Sequence, residues 1–137
     1  MNKNDDKRQQ LIHQVLATQD MGGAAIVDHA LRTWTRLASH LSALIGEAGF
    51  CALYGRSLHL IIPQHPWLTA SLASQPIDTL FSTLKENFSS IDPLSAAKAN
   101  QRLLDTFTKL LSGLIGEALT TRLLTTAWAD EPDGKNT

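Results

Sequence analysis

The pentapeptide LIGEA occupies positions 44–48 of the 137-residue chain and occurs a second time at positions 114–118. When the two copies are superimposed, the residues around them also match: Arg32 with Arg102, Leu37 with Phe107, Leu41 with Leu111, Ser42 with Ser112, Ala43 with Gly113 and Leu53 with Leu123. Two copies are too few for a solenoid, which needs about three stacked units. The repeat therefore predicts an internal duplication, with two long helices related by a pseudo-two-fold axis.

The first copy covers about residues 24–60. Its apolar residues recur in alternating steps of three and four, which is the spacing of one face of an amphipathic helix. The pattern predicts one long helix that bends at Gly49 or Gly55. We expect this helix to end before Pro63, because a proline does not continue a helix.

The second copy covers about residues 93–128 and has a clear start signal. The side chain of Asp92 can accept hydrogen bonds from the free amides of a first helical turn, and Pro93 follows where a missing N–H costs nothing. Apolar residues then repeat at helical spacing as far as Trp128. The pattern predicts a second long helix over this whole range.

Shorter helices and two tails complete the prediction. Three shorter helices are expected: one from Asp5 or Asp6 to Asp20, one opened by Pro66, and one from Ile77 or Asp78 to Phe88. No stretch shows the alternating pattern of a strand. The sequence therefore predicts an all-α bundle of about five helices, one domain over 7–129 between disordered tails at 1–6 and 130–137.

Three glycines lie inside the predicted long helices, where each costs about 1 kcal/mol relative to alanine. Gly46, Gly113 and Gly116, together with Ala43, form two patches of small residues at matching positions. Small side chains allow two helix backbones to approach closely. We expect the two long helices to cross at these four residues.

A glutamate follows the glycine in each copy. Glu47 and Glu117 lie at the border of the apolar stripe, where a carboxylate needs a partner. Arg56 and Arg122 are the nearby cations, and their spacing from the glutamates brings neither pair onto one face of one helix. We expect reciprocal pairing between the helices, Glu47 with Arg122 and Glu117 with Arg56.

Such pairs have two interpretations. A partly buried Glu/Arg pair can form a ligand or catalytic site, but ion pairs that only hold a fold together have the same residues. We favour the structural role, because breaking a buried ion pair destabilises a fold whatever its function. His40 lies in line with Leu37 and Leu44 at the edge of the core, either as a satisfied core histidine or as a phosphoacceptor or haem ligand.

Other catalytic and metal sites are not indicated. None of the five histidines forms the i,i+4 pair that lets two imidazoles bind one metal, and Cys51 is the single cysteine. No Ser/His/acid group and no phosphate-binding loop can be assembled from the sequence. We therefore predict no catalytic residues, no metal and no cofactor, and we interpret Cys51 beside Glu47 as an inert buried thiol.

The charge pattern limits the partners of this protein. A net charge of −1 without clusters of Lys and Arg argues against binding to nucleic acid or to acidic membranes. Charged residues are few between the two tails, so the neutral surface is either covered by a second copy or simply Ser/Thr-rich. With one cysteine and no signal-like or membrane-spanning run in the first thirty residues, we expect a cytoplasmic protein.

The sequence as a whole favours a small interaction or regulatory module that forms a homodimer and binds an unknown protein partner. The alternative is a sensor that binds a small ligand or haem between its helices, near His40, Glu47 and Arg122. An enzyme is the least favoured class, because no catalytic constellation is readable.

Overall fold

The computed structural model describes residues 8–12, 23–68 and 76–129. Within these ranges the chain is helical, which confirms the all-α class, and it forms five helices and one 3-10 turn: α1 (8–12), α2 (Gly23–Ile61), the turn Ile62–Gln64, α3 (Ile77–Ser89), α4 (Pro93–Ile115) and α5 (Glu117–Ala129). Residues 66–68, where a helix opened by Pro66 is predicted, form a turn and a bend, and the rest of that helix lies outside these ranges, as does most of the first predicted helix.

Both LIGEA glycines interrupt a helix. Gly46 has φ 85° and ψ 157° inside α2, and Gly116 has φ 94° and ψ 152° between α4 and α5. Only glycine adopts this backbone region readily. The predicted bend at Gly49 or Gly55 is therefore wrong, and the second long helix is not continuous to Trp128. We call the turns at Gly46 and Gly116 the two elbows.

The second elbow joins two helices through a single residue. The Gly116 N–H donates to the carbonyl of Ser112 at 2.8 Å, which closes the last turn of α4. The carbonyl of the same glycine accepts from the Thr120 N–H at 3.1 Å, which opens α5. No loop separates the two helices, because one residue serves as the end of one and the start of the other.

Helix α2 folds back on itself at the first elbow. The ring centroids of Trp34, before the elbow, and Tyr54, after it, lie 5.3 Å apart. In a straight helix these residues would be about 30 Å apart at 1.5 Å per residue. Helix α2 therefore consists of two arms, 23–45 and 47–61, that pack against each other.

The first arm of α2 runs parallel to α4. Near the start of each, Ile26 and Leu94 line the same cleft. About two turns later the indole N–H of Trp34 donates to the Asn100 side chain at 2.8 Å. Since both helices advance in the same direction and then turn back, the two elbows lie at the same end of the bundle.

The direction of α3 agrees with this arrangement. The backbone N–H of Ile77, its first residue, lies 3.4 Å from the carboxylate of Glu47, beside the first elbow. Phe88, in its last turn, packs against Trp67 with ring centroids 6.1 Å apart. Helix α3 therefore runs away from the elbows, and α4 returns to them.

An aromatic cluster occupies the centre of the core. Trp34 is fully buried and meets the rings of Phe50, Tyr54 and Phe107 at centroid distances between 5.2 and 6.5 Å. All three contacts are edge-to-face, one of the arrangements that aromatic rings prefer. The start of α4 is as predicted, because the Asp92 side chain accepts from the Ser95 N–H at 2.9 Å.

Candidate functional site

The two LIGEA glutamates each begin a helical arm. Glu47 directly follows Gly46 and is exposed, and its Oε2 accepts the 3.4 Å hydrogen bond from Ile77. Glu117 is the first residue of α5 and is half-buried, and its Oε1 accepts no hydrogen bond from a described residue. A carboxylate at a helix N-terminus is stabilised by the helix dipole. The position of each glutamate is therefore explained without an arginine partner.

The predicted reciprocal ion pairs are not formed in the described part of the chain. Glu47 does not reach Arg122, Glu117 does not reach Arg56, and both arginines are exposed. The prediction assumed that each helix continues through its glycine. The elbows reverse the chain. Helical spacing counted before an elbow therefore does not predict the direction of a side chain that follows the elbow.

The predicted helix crossing is also absent between the described residues. Ala43, Gly46, Gly113 and Gly116 are all exposed. A Cβ atom added to any of the three glycines would meet no atom within 4 Å. Gly46 and Gly116 are therefore required by their backbone conformation, not by a close helix neighbour.

His40 has a local structural partner. It is half-buried on the first arm of α2, and its Nδ1 lies 3.0 Å from the carbonyl oxygen of Arg36. A carbonyl can only accept, so Nδ1 donates this hydrogen bond. The interpretation of His40 as a satisfied histidine agrees with this geometry.

Two buried side chains on the second arm of α2 have a raised pKa. Burial raises the pKa of the Cys51 thiol, and the charge of Glu47 raises it further. Burial also raises the pKa of Tyr54 far above its usual range. The expectation of an inert Cys51 agrees with this environment, since the thiolate is the reactive form.

One ion pair of the described chain joins α1 to α4, and it is not among the contacts predicted from the sequence. Arg8 in α1 is 2% exposed, and its guanidinium lies 3.0 Å from the carboxylate of Asp105 and 2.8 Å from the hydroxyl of Thr108 in α4. Gln9 also donates to Asp105. One signal was available in the sequence: Arg8 lies four residues before the fully buried Ile12, on the same face of α1.

Apolar residues are exposed at both elbows. Leu44 and Leu114, which match in the repeat, are 50% and 69% exposed, and Leu119 is 42% exposed. We call these three leucines and the exposed small residues beside them the elbow surface: Ala43, Gly46, Ala48, Gly113, Gly116 and Ala118. Glu47 and Glu117 are the charged residues of the two pentapeptides, and they flank this surface.

Neither of two clefts between the described elements is lined by His40, Glu47 or Arg122. The first, of about 190 Å³, lies between the starts of α2 and α4 and includes His29. Pockets for drug-sized ligands usually hold about 300–1,000 Å³. The second, of about 450 Å³, lies between α1, α4 and the residues after the 3-10 turn, and its lining is polar: Gln9, His65, Lys98, Gln101, Arg102 and Asp105.

Two further features concern metal binding and membrane crossing. Among the described residues, no group of three or more His, Cys, Asp or Glu side chains could hold a metal ion. The segment Ile26–Gln64 is long and apolar enough to cross a membrane when judged by length and composition alone, and core helices of soluble proteins meet the same criterion.

Comparisons of this chain with protein-family models, with curated proteins and with solved structures return no match.

Proposed function

We propose that this protein is a non-catalytic helical interaction module that self-associates through the elbow surface. The observation that carries the proposal is the exposure of Leu44 and Leu114 at one end of the bundle. The elbow turn itself requires only a glycine. Two leucines that are exposed to solvent at matching positions are therefore explained best as part of an interface with another chain.

We propose further that the two segments 23–61 and 93–129 arose by duplication and are related by a pseudo-two-fold axis. Support comes from the shared pentapeptide and from the nearly equal backbone angles of its two glycines. The pattern of burial supports it as well. Leu41 and Leu111 are fully buried three residues before leucines that are exposed in both segments.

The occupant that we propose for the elbow surface is a second copy of this chain. An interface between two identical chains uses the same patch on both, so the patch must fit itself. A patch with its own approximate two-fold symmetry meets this requirement, because each leucine of one copy can face a leucine of the other. The centre of such interfaces is poor in charge, as this one is between its two glutamates.

The localisation that we propose is the cytoplasm, with α2 as a core helix. The fold-back at Gly46 packs the first arm of α2 against its own second arm and against α4, which supports this interpretation of its apolar composition. The buried thiol of Cys51, without a described disulfide partner, fits a reducing compartment.

The test is the oligomeric state of the full chain, measured by sedimentation equilibrium over a range of concentrations. The double variant Leu44→Ser/Leu114→Ser should weaken self-association about tenfold or more, since covering one leucine contributes about 1.5–3 kcal/mol. Leu60→Ser/Leu94→Ser is the matched control. These leucines are 50% and 65% exposed and lie at the opposite end of the bundle.

Two results would refute the proposal. A wild-type protein that stays monomeric at the highest concentrations would exclude self-association. A double elbow variant that associates as tightly as the wild type, or a control variant that weakens association equally, would exclude the elbow surface as the interface.

A further inference from the structure

The polar cleft between α1, α4 and the end of the 3-10 turn is a second candidate site. Lys98 and Arg102 are four residues apart on α4, so they lie on the same face and next to each other. Within the described residues, neither cation forms an ion pair with a carboxylate. The cleft therefore presents two positive charges that no described salt bridge neutralises, and the pKa of the nearby Asp92 carboxylate is lowered by hydrogen bonds from Ser95 and, to a smaller extent, by the charge of Lys98.

The opposite wall of the cleft is held in place by the backbone. His65 ends the 3-10 turn, and its N–H donates to the carbonyls of Ile61 and Ile62 at 3.1 and 2.9 Å. Its imidazole is half-buried. Burial lowers the pKa of His65, and the charge of Arg102 lowers it further, so the two side chains lie close enough to interact electrostatically.

Asp105 is the one described carboxylate that lines the cleft, and it already has an ion-pair partner and a hydrogen-bond donor. Asp105 binds the guanidinium of Arg8 at 3.0 Å and accepts a hydrogen bond from Gln9. Arg8 balances its charge, and the positive charges of Lys98 and Arg102 remain. The pair Arg8–Asp105 also fixes α1 against α4, and thereby forms the third wall of the cleft.

We propose that this cleft binds the phosphate group of a small molecule. Lys98, Arg102 and His65 offer N–H donors from two directions, and the carboxamides of Gln9 and Gln101 lie beside them. A phosphate offers at least three acceptor oxygens, one more than a carboxylate, and an arginine side chain can bind two of them at once. At about 450 Å³ the cleft has the size of small-molecule sites. The proposal does not depend on self-association, because the cleft is formed by residues outside the elbow surface.

The experiment is a titration of the full-length protein with inorganic phosphate, followed by two-dimensional ¹H–¹⁵N NMR. Sodium chloride keeps the ionic strength constant, and acetate serves as the carboxylate probe in a parallel titration. Phosphate should cause saturable shifts at His65 and at residues 98–102. Lys98→Gln and Arg102→Gln should each weaken binding about tenfold or more, as expected for the loss of a charge-assisted hydrogen bond.

The controls are Lys85→Gln and Lys109→Gln, two exposed lysines that do not line the cleft, and both should bind phosphate as the wild type does. Shifts that chloride reproduces at equal ionic strength would overturn the proposal. So would unchanged affinity in Lys98→Gln and Arg102→Gln. Acetate binding as tight as phosphate binding would overturn the assignment to a phosphate group.

Discussion

The two elbows share five residues and one backbone turn, but they have different surroundings. At the first elbow Glu47 is exposed and accepts the N–H that opens α3, whereas at the second Glu117 is half-buried and its Oε1 has no hydrogen-bond partner among the described residues. The arms differ as well. Phe50 and Tyr54 follow the first elbow, and Thr120 and Leu124 take their places after the second. The common pentapeptide therefore specifies the turn, and the neighbouring helices decide what its glutamate contacts.

The largest difference between the two segments is that only the second one binds Arg8 of α1 through a described ion pair, with Asp105. We expect the largest mutational effect at this contact. Asp105→Ala removes the carboxylate that lies 3.0 Å from the buried guanidinium of Arg8 and should lower the free energy of unfolding by about 3–5 kcal/mol. Thr35 occupies the matching place in the first segment and is exposed, so Thr35→Ala should stay within about 0.5 kcal/mol of the wild type. Urea unfolding followed by far-UV circular dichroism measures both. A loss below about 1 kcal/mol for Asp105→Ala would mean that α1 leaves the bundle without unfolding it.

The next effect tests whether both elbows need glycine equally. Gly46→Ala and Gly116→Ala should each lower the free energy of unfolding by about 1–3 kcal/mol, because alanine does not adopt the observed backbone angles without strain. No neighbouring atom would clash with the new methyl group, so the cost is conformational.

Gly113→Ala is the matched control for the elbow variants. Gly113 has equally open surroundings but lies within α4, where alanine is the better helix former. The change should be neutral or stabilise by up to about 1 kcal/mol. Thermal unfolding of the three variants would show the contrast, and an equal loss at all three positions would contradict the backbone explanation.

The smallest expected effect on stability distinguishes the roles of Glu47 and Glu117. Glu47→Gln removes a charge from the start of two helical arms and should cost about 0.3–1 kcal/mol at low salt, with a smaller cost at high salt. Glu117→Gln should cost less or stabilise, since it also removes the charge from a buried oxygen without a described partner. Urea unfolding at two salt concentrations measures both variants. Equal losses that do not change with salt would refute the assigned roles.

The parts of the fold that depend on local signals could be predicted from the sequence. The start of α4 at Asp92 and Pro93, the range of α3 and the end of α2 before Pro63 each follow from a capping residue, a proline or a short apolar pattern. The elbows could not be found in this way. The apolar spacing continues through both glycines, and glycine is tolerated in a helix at a cost of about 1 kcal/mol, so the pattern looks the same whether the chain turns or continues.

The error at the elbows explains the errors in the candidate site. Helical spacing predicts that Arg56 and Arg122 face packed surface, but the chain reverses at the elbow before each of them, and both arginines are exposed. The pairing predicted between these arginines and the carboxylates of Glu47 and Glu117 rests on the same assumption of continuous helices. Contacts between segments far apart in the sequence, such as Arg8 with Asp105 or His65 near Arg102, depend on how the arms dock. Periodicity within one helix carries little information about such contacts.

The one-residue elbow also affects how the chain folds. Each elbow brings two arms into contact over a short stretch of sequence, as Trp34 and Tyr54 show, and leaves almost no loop whose closure would cost entropy. Structures rich in such local contacts fold quickly. We therefore expect each segment to form its internal contacts early in folding, before the docking of the two segments covers their apolar faces.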